Sequence, residues 1–164
     1  MEYINIGKIV TTHGIKGEVK LISNFKYKKE AFKIGNKIYI GQNKEEKIIQ
    51  SYRVHKNYDM LTFKNYNNIN DVLKYKNSNV YIDKSTLKIN GYLNTDYIGL
   101  NVYINNELIG KIINIIEIPN NELFEVENNK KVFYIPNNNE LIENIDIKNK
   151  KIVIKYIEGL IEWK

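Results

Sequence analysis

His13 and His55 are the only histidines in a chain of 164 residues that carries no cysteine. Neither has a carboxylate cluster at ligand spacing beside it, so no metal is expected. The chemistry on offer is cationic. Residues 6–23 read Ile-Gly-Lys-Ile-Val-Thr-Thr-His-Gly-Ile-Lys-Gly-Glu-Val-Lys-Leu-Ile-Ser and group His13, Lys16 and Lys20 around Gly14 and Gly17. Glycine permits backbone angles that a side chain resists, so this is the tip of a hairpin. Lys8, Lys16, Lys20, Arg53 and Lys56 are candidate phosphate contacts. Each such contact releases counterions, so binding should fall steeply with salt. Arg53 is the only arginine. Its guanidinium can grip a phosphate bidentately and stack on a base, which lysine cannot; the competing reading is a surface ion pair with Glu45 or Glu46. His13 fits either an RNA contact or a turn residue bonding the local backbone.

Other chemistry is missing. No Gly-x-x-x-x-Gly-Lys-Ser/Thr loop occurs, and 14–17 is too short to replace one. Ser23, Ser51, Ser78 and Ser85 lack a nucleophile-elbow context, and Glu122, Glu125 and Glu127 read as a solvated strand face. No catalytic residue and no cofactor is nominated: a binding module is the expected class, not an enzyme. Without cysteine, disulfide scaffolds and thiolate sites are excluded. No apolar run approaches the roughly 20 residues of a membrane helix, and strand pattern begins almost at residue 1, leaving no room for a signal peptide. A cytoplasmic monomer is expected, although a processed organellar form would read the same.

The elements that position these residues are strands. In 6–23 one arm carries Ile6, Ile9 and Val10, with Gly7 a bulge where alternation slips. The other points Val19 and Leu21 one way and Glu18 and Lys20 the other. Residues 24–33 interleave Phe25, Tyr27 and Phe32 with Lys26, Lys28 and Lys29, as base-stacking rings or as half-buried anchors of a short loop or helix. Strands follow at 37–41, 47–55 and 60–64, the last two joined through 56–59. Residues 68–76 change to helical period, with Asn68 or Asn70 as N-cap, and 80–83 is again a strand. Beyond a polar segment at 85–93, short strands recur at 102–104, 109–116, 123–126, 132–135, 145–147 and 152–156. The fold class is therefore all-β, two small β-barrels in tandem with one short helix in the first.

Charge divides with the chain. Residues 1–92 hold 17 Lys+Arg against 8 Asp+Glu, and 93–164 hold 8 against 11, so +9 and −3 compose the net +6. Such a split suits two partners of opposite sign, nucleic acid and a basic protein. Codon bias explains the heavy use of lysine, asparagine and isoleucine, but should have enriched both halves in lysine.

Gly7, Lys8, Ile9, Val10, His13, Gly14, Gly17, Glu18 and Val19 resemble the N-terminal signature of the RimM family of ribosome maturation factors. Arg53-Val54-His55-Lys56 and the helix at 68–76 resemble middle elements of the same domain. Asp96-Tyr97-Ile98-Gly99-Leu100-Asn101-Val102 is similar to the entry of the PRC-barrel that follows it. Ile109-Gly110-Lys111-Ile112, residues 119–126, Ile135-Pro136, Asp146 and Gly159-Leu160 continue that likeness in order. The resemblance implies a translation-factor-like N-terminal barrel at 1–84, a linker at 85–92 and a PRC-barrel at 93–164. It implies a non-enzymatic assembly factor that binds the head of the immature small ribosomal subunit and promotes 16S rRNA maturation. Partners would be 16S rRNA and ribosomal protein S nineteen. The other reading is a generic RNA- or ribosome-binding protein without a maturation role.

On the resemblance, Tyr92, Leu93, Asp96 and Tyr97 would meet the protein partner. The family usually places two adjacent aromatics where this chain has Tyr92 and Leu93, so one ring is missing and Tyr97 could supply a second. Tyr92 fits equally a packing role at the domain junction. Trp163, Leu160 and Ile161 read as a cap on the second barrel's core.

Overall fold

β-Branched and aromatic residues at alternate positions pack one face of each strand inward and leave the other to solvent. The computed structural model describes residues 1–156 and separates into two units, Met1–Asn90 and Gly91–Lys164. The expectation for Leu160, Ile161 and Trp163, and the likeness at Gly159 and Leu160, lie outside the described residues.

In the first unit the strands are β1 (Tyr3–His13), β2 (Glu18–Ile22), β3 (Lys37–Ile40), β4 (Glu45–His55), β5 (Tyr58–Phe63) and β6 (Asn79–Asp83). They pair in the order β1-β2-β5-β4-β3-β6, and β6 pairs with β1 to close a barrel. Closure removes the exposed strand edges that a small β-domain would otherwise carry. The narrowest seam is β3 to β6, with two register pairs, Tyr39 with Tyr81 and Ile40 with Val80. Ile6, Ile9, Val19, Leu21, Ile38, Ile49, Leu61 and Phe63 line the interior, all essentially inaccessible. The register of β1 slips beside Gly7, as its sequence suggests. A Cβ at Gly7 would lie 2.8 Å from the Ile22 carbonyl oxygen, so only glycine allows this approach.

The expected helix forms as a single turn, α2 (Ile69–Val72), running into a 3₁₀ turn at Leu73–Tyr75. Asn68 is the N-cap. Its side chain accepts the Asn70 N–H at 2.9 Å, and Asp71 accepts the Asn68 N–H at 3.2 Å, a reciprocal capping box. Val72 and Tyr75 are the buried face. A second turn, α1 (Lys28–Ala31), was not separable from loop in the sequence. It buries Ala31 and Phe32, and Phe32 packs against Tyr52 with ring centroids 5.2 Å apart. The aromatics among those lysines are anchors in this fold.

A buried carboxylate fastens α1 to the barrel. Asp59 is 2% exposed; it accepts the Tyr52 hydroxyl at 2.6 Å and faces the Lys28 ammonium at 2.8 Å. Burial, followed by this bond to Asp59, pushes the Tyr52 phenol well above its ordinary range.

The second unit opens with the one-turn α3 (Asn94–Tyr97) and continues through β7 (Asn101–Ile104), β8 (Glu107–Ile118), β9 (Asn121–Asn128), β10 (Lys131–Pro136), β11 (Ile142–Asp146) and β12 (Lys151–Ile154). The ladder runs β10-β9-β8-β7-β12-β11 as a six-stranded sheet, with β7 and β12 parallel. The sheet wraps one core to which Val102, Ile112, Phe124, Val126, Ile135, Ile152 and Ile154 contribute. Its hairpins turn on left-handed residues, Asn105 and Asn106 after β7, and Asn129 with Lys130 after β9. Asparagine tolerates that region better than most side chains. Pro136 ends β10, an outer strand of the sheet, where a missing backbone donor costs least.

Candidate nucleic-acid interface

Register brings residues distant in sequence onto one face of the first barrel. His13 ends β1 opposite Glu18 at the start of β2. Lys20 lies opposite Met60 of β5, which lies opposite Arg53 of β4. Lys20 and Arg53 are thus two strands apart on one face, a spacing of about 10 Å. The β4–β5 turn holds Lys56, itself left-handed (φ 56°), and pairs His55 with Tyr58. The turn at 14–17 is held from below. Gly17 has φ 86°, a Cβ there would run into the Tyr66 carbonyl, and the Ile15 carbonyl accepts the Ile69 N–H at 2.9 Å. Lys16 and Ile15 project from this anchored tip, Ile15 75% exposed.

The cluster contains one carboxylate, and it is engaged. Arg53 donates to Glu18 through Nε at 2.9 Å and Nη2 at 2.7 Å, a bidentate fork. Arg53 therefore pairs with Glu18 across the sheet, and neither Glu45 nor Glu46 is its partner. That fork holds the Glu18 carboxyl below its ordinary range, outweighing the burial that would raise it. Lys20 places its ammonium 4.7 Å from the centroid of Tyr58. The His13 and His55 rings lie 5.5 Å apart. Burial, then the charges of Arg53, His13, Lys56 and Lys20, push the His55 imidazole below the usual histidine value. The arrangement is a cationic surface with its arginine masked, suited to gripping an anion.

The structure thus gathers His13, Lys20, Arg53 and Lys56 around His55, whereas Lys16 sits in the 14–17 turn, at the opposite end of β2 from the β4–β5 turn. Lys8 is not part of this group. It sits five residues back along β1, about 16 Å from His13, beside an open cleft of about 310 Å³ lined by Asn5, Gly7, Ser23, Asn24 and Asn79. Glu18, His55 and Tyr58 are the members that the sequence reading left out of the cluster. Period-2 alternation from Arg53 puts His55 on the same strand face, which was the available signal. Among the described residues no group of three or more His, Cys, Asp or Glu could hold a metal ion.

In the second unit Tyr92 is half-buried against the core and meets Tyr97 edge-on at 5.8 Å. Tyr97 is 5% exposed and stacks toward Phe124, and Leu93 is 6% exposed. Tyr97 thus serves the core and does not present a second ring to solvent. Asp96 accepts the Leu93 N–H at 2.9 Å, which fixes the start of α3.

Two family models match, the RimM N-terminal domain over residues 4–87 and the RimM PRC barrel domain over 94–160. Two relatives named ribosome maturation factor RimM are similar over nearly the whole length. That of Staphylococcus aureus (strain bovine RF122 / ET3-1) is 37% identical, with 97% of this chain and 99% of the relative covered. That of Staphylococcus haemolyticus (strain JCSC1435) is 41% identical with the same coverage. Among solved structures, a 16S ribosomal RNA processing protein RimM of Pseudomonas aeruginosa is 18% identical, covering 95% of this chain and 98% of that chain, with a TM-score of 0.48. The N-terminal domain of RimM from Thermus thermophilus is 11% identical, covering 54% of this chain and 98% of that chain, with a TM-score of 0.47.

Proposed function

The chain belongs to the RimM family, and from that premise we propose that it is a ribosome maturation factor acting without catalysis in the cytoplasm. It binds the head of the immature small ribosomal subunit and promotes maturation of the 16S rRNA there. The first unit faces rRNA through His13, Lys16, Lys20, Arg53 and Lys56, with Lys8 a separate contact further along β1. The second unit, net acidic, meets ribosomal protein S nineteen through the segment of Tyr92, Leu93, Asp96 and Tyr97. Of these, Tyr92 offers the ring, while Leu93, Asp96 and Tyr97 hold the segment in shape. The boundaries follow the sequence reading, 1–84, 85–92 and 93–164.

One observation carries this reading: both family domains match in order, and relatives named as maturation factors align over nearly the whole chain. The charge split between the halves supports the division of labour. No helix among the described residues is long and apolar enough to cross a membrane.

Co-sedimentation of the purified protein with small subunits, large subunits and whole ribosomes, at low and moderate salt, tests it. Binding confined to free small subunits and weakened by salt is expected. Equal binding to all three particles favours a generic RNA-binding role. Neutralising Lys16, Lys20 and Arg53 together should weaken rRNA binding and spare the head protein, with most of the loss from the two lysines because Arg53 is masked.

A further inference from the structure

We propose that His55, with His13 beside it, makes this cluster on the barrel face a proton-linked clamp for an RNA backbone phosphate, gripping more tightly as the pH falls. The proposal rests on the rRNA-facing role given above to the first unit. Every element around His55 contributes a charged or titratable group. Arg53 precedes it on the same face of β4, and Lys56 follows it in the turn. His13 comes from β1 at a ring distance of 5.5 Å, Glu18 and Lys20 from β2, and Tyr58 lies opposite on β5.

Glu18 is the only carboxylate among these groups, and both of its oxygens are taken by Arg53. Burial, then the cations Arg53, His13, Lys56 and Lys20, hold the proton affinity of His55 down, and the engaged Glu18 does not offset them. A phosphodiester seated among His55, His13, Lys20 and Lys56 reverses the sign of that field. The imidazole then gains a proton as the phosphate arrives, and becomes a donor to its oxygen. Linkage requires that a group protonated only in the complex strengthen binding at lower pH. Plain lysine contacts cannot do this, because lysine stays charged throughout the neutral range.

The test uses the full chain and a fluorescein-labelled RNA hairpin, with Kd read by anisotropy from about pH 8 down to about pH 5.5 at fixed ionic strength. Wild type and His55→Gln are compared. The wild-type Kd is expected to fall by up to about tenfold per pH unit across the protonation step, and the profile to flatten in His55→Gln. In parallel, NMR titration of the His55 ring should show its midpoint raised in the RNA-saturated protein relative to the free one. RNA binding with a flat wild-type profile, a slope retained in His55→Gln, or an unshifted midpoint overturns the clamp alone. Absence of RNA binding at every pH overturns the rRNA-facing role and the clamp with it.

Discussion

Glu18→Gln is expected to make the protein a tighter RNA binder. Among the described residues Lys16, Lys20 and Lys56 carry no ion pair, whereas Arg53 spends its guanidinium on Glu18 at 2.7 and 2.9 Å. On the proposed rRNA-facing role, the phosphate contacts left free are then these three lysines. At about 0.7–0.9 counterions per contact, log K should fall with log salt at a slope of about −2 to −3. Glutamine keeps the shape of Glu18 and removes its charge, releasing Arg53 as a fourth contact. The slope should steepen by about 0.7–0.9, and binding at about 0.1 M salt should tighten by about 5–8-fold. Anisotropy with the RNA hairpin across about 50–300 mM KCl reads both quantities. Arg53→Gln alone should change the slope little, since that charge is already neutralised, and the double variant should return to the wild-type slope. Unchanged or weaker binding by Glu18→Gln would refute the masking argument, as would a steeper slope that persists in the double variant.

Three further outcomes follow from the geometry. Lys28→Met leaves the Asp59 carboxylate buried with only Tyr52 to stabilise it. Because Lys28 is 33% exposed, water can answer part of the loss, and a cost of about 2 kcal/mol, below the usual 3–5 for a broken buried pair, is expected. Hydrogen exchange of peptides from β4 and β5 measures it, and combining Lys28→Met with Asp59→Asn should cost less than the two single changes summed. Gly17→Ala should destabilise by about 2 kcal/mol or more, because a left-handed backbone and a collision with the Tyr66 carbonyl coincide. Gly14→Ala, left-handed but facing open space, should cost about half as much, and equal melting temperatures for the two variants would sink the collision argument. The folded-state proton affinity of His55 is depressed, so its contribution to stability is present above the unfolded value of about 6.5 and is lost as pH falls through the folded value. Its NMR midpoint should rise in Arg53→Gln, which removes one of the cations responsible.

The strands were legible because isoleucine, valine and tyrosine alternate with polar residues over runs long enough to show a period of two. The helix at 69–72 was legible through the change of period at 68–76 and through Asn68, one of two cap candidates, which is the N-cap observed. Its length was overstated, because periodicity cannot separate an α turn from the 3₁₀ turn that continues it. The turns α1 and α3, four residues each, are too short to show any period. Left-handed Lys56, Lys130 and Lys150 were hidden for another reason: lysine carries no turn signal, and strand register put it there. Register also decided the site. Arg53 and Glu18 are 35 residues apart, and only the pairing of β2 with β5 and β5 with β4 makes them neighbours, which is why nearer glutamates looked like partners.

The first barrel is sealed by its own beginning and end, Tyr3 opposite Asp83 and Lys8 opposite Asn79. No part of that ring can close until the whole of it has left the ribosome, so the nascent unit waits as unsealed strands and then folds in one long-range step. At ordinary synthesis rates the second unit takes a further 4–15 s or so to emerge. The earliest folded form of this molecule is therefore a basic barrel tethered to the ribosome still making it, complete before its acidic half has emerged.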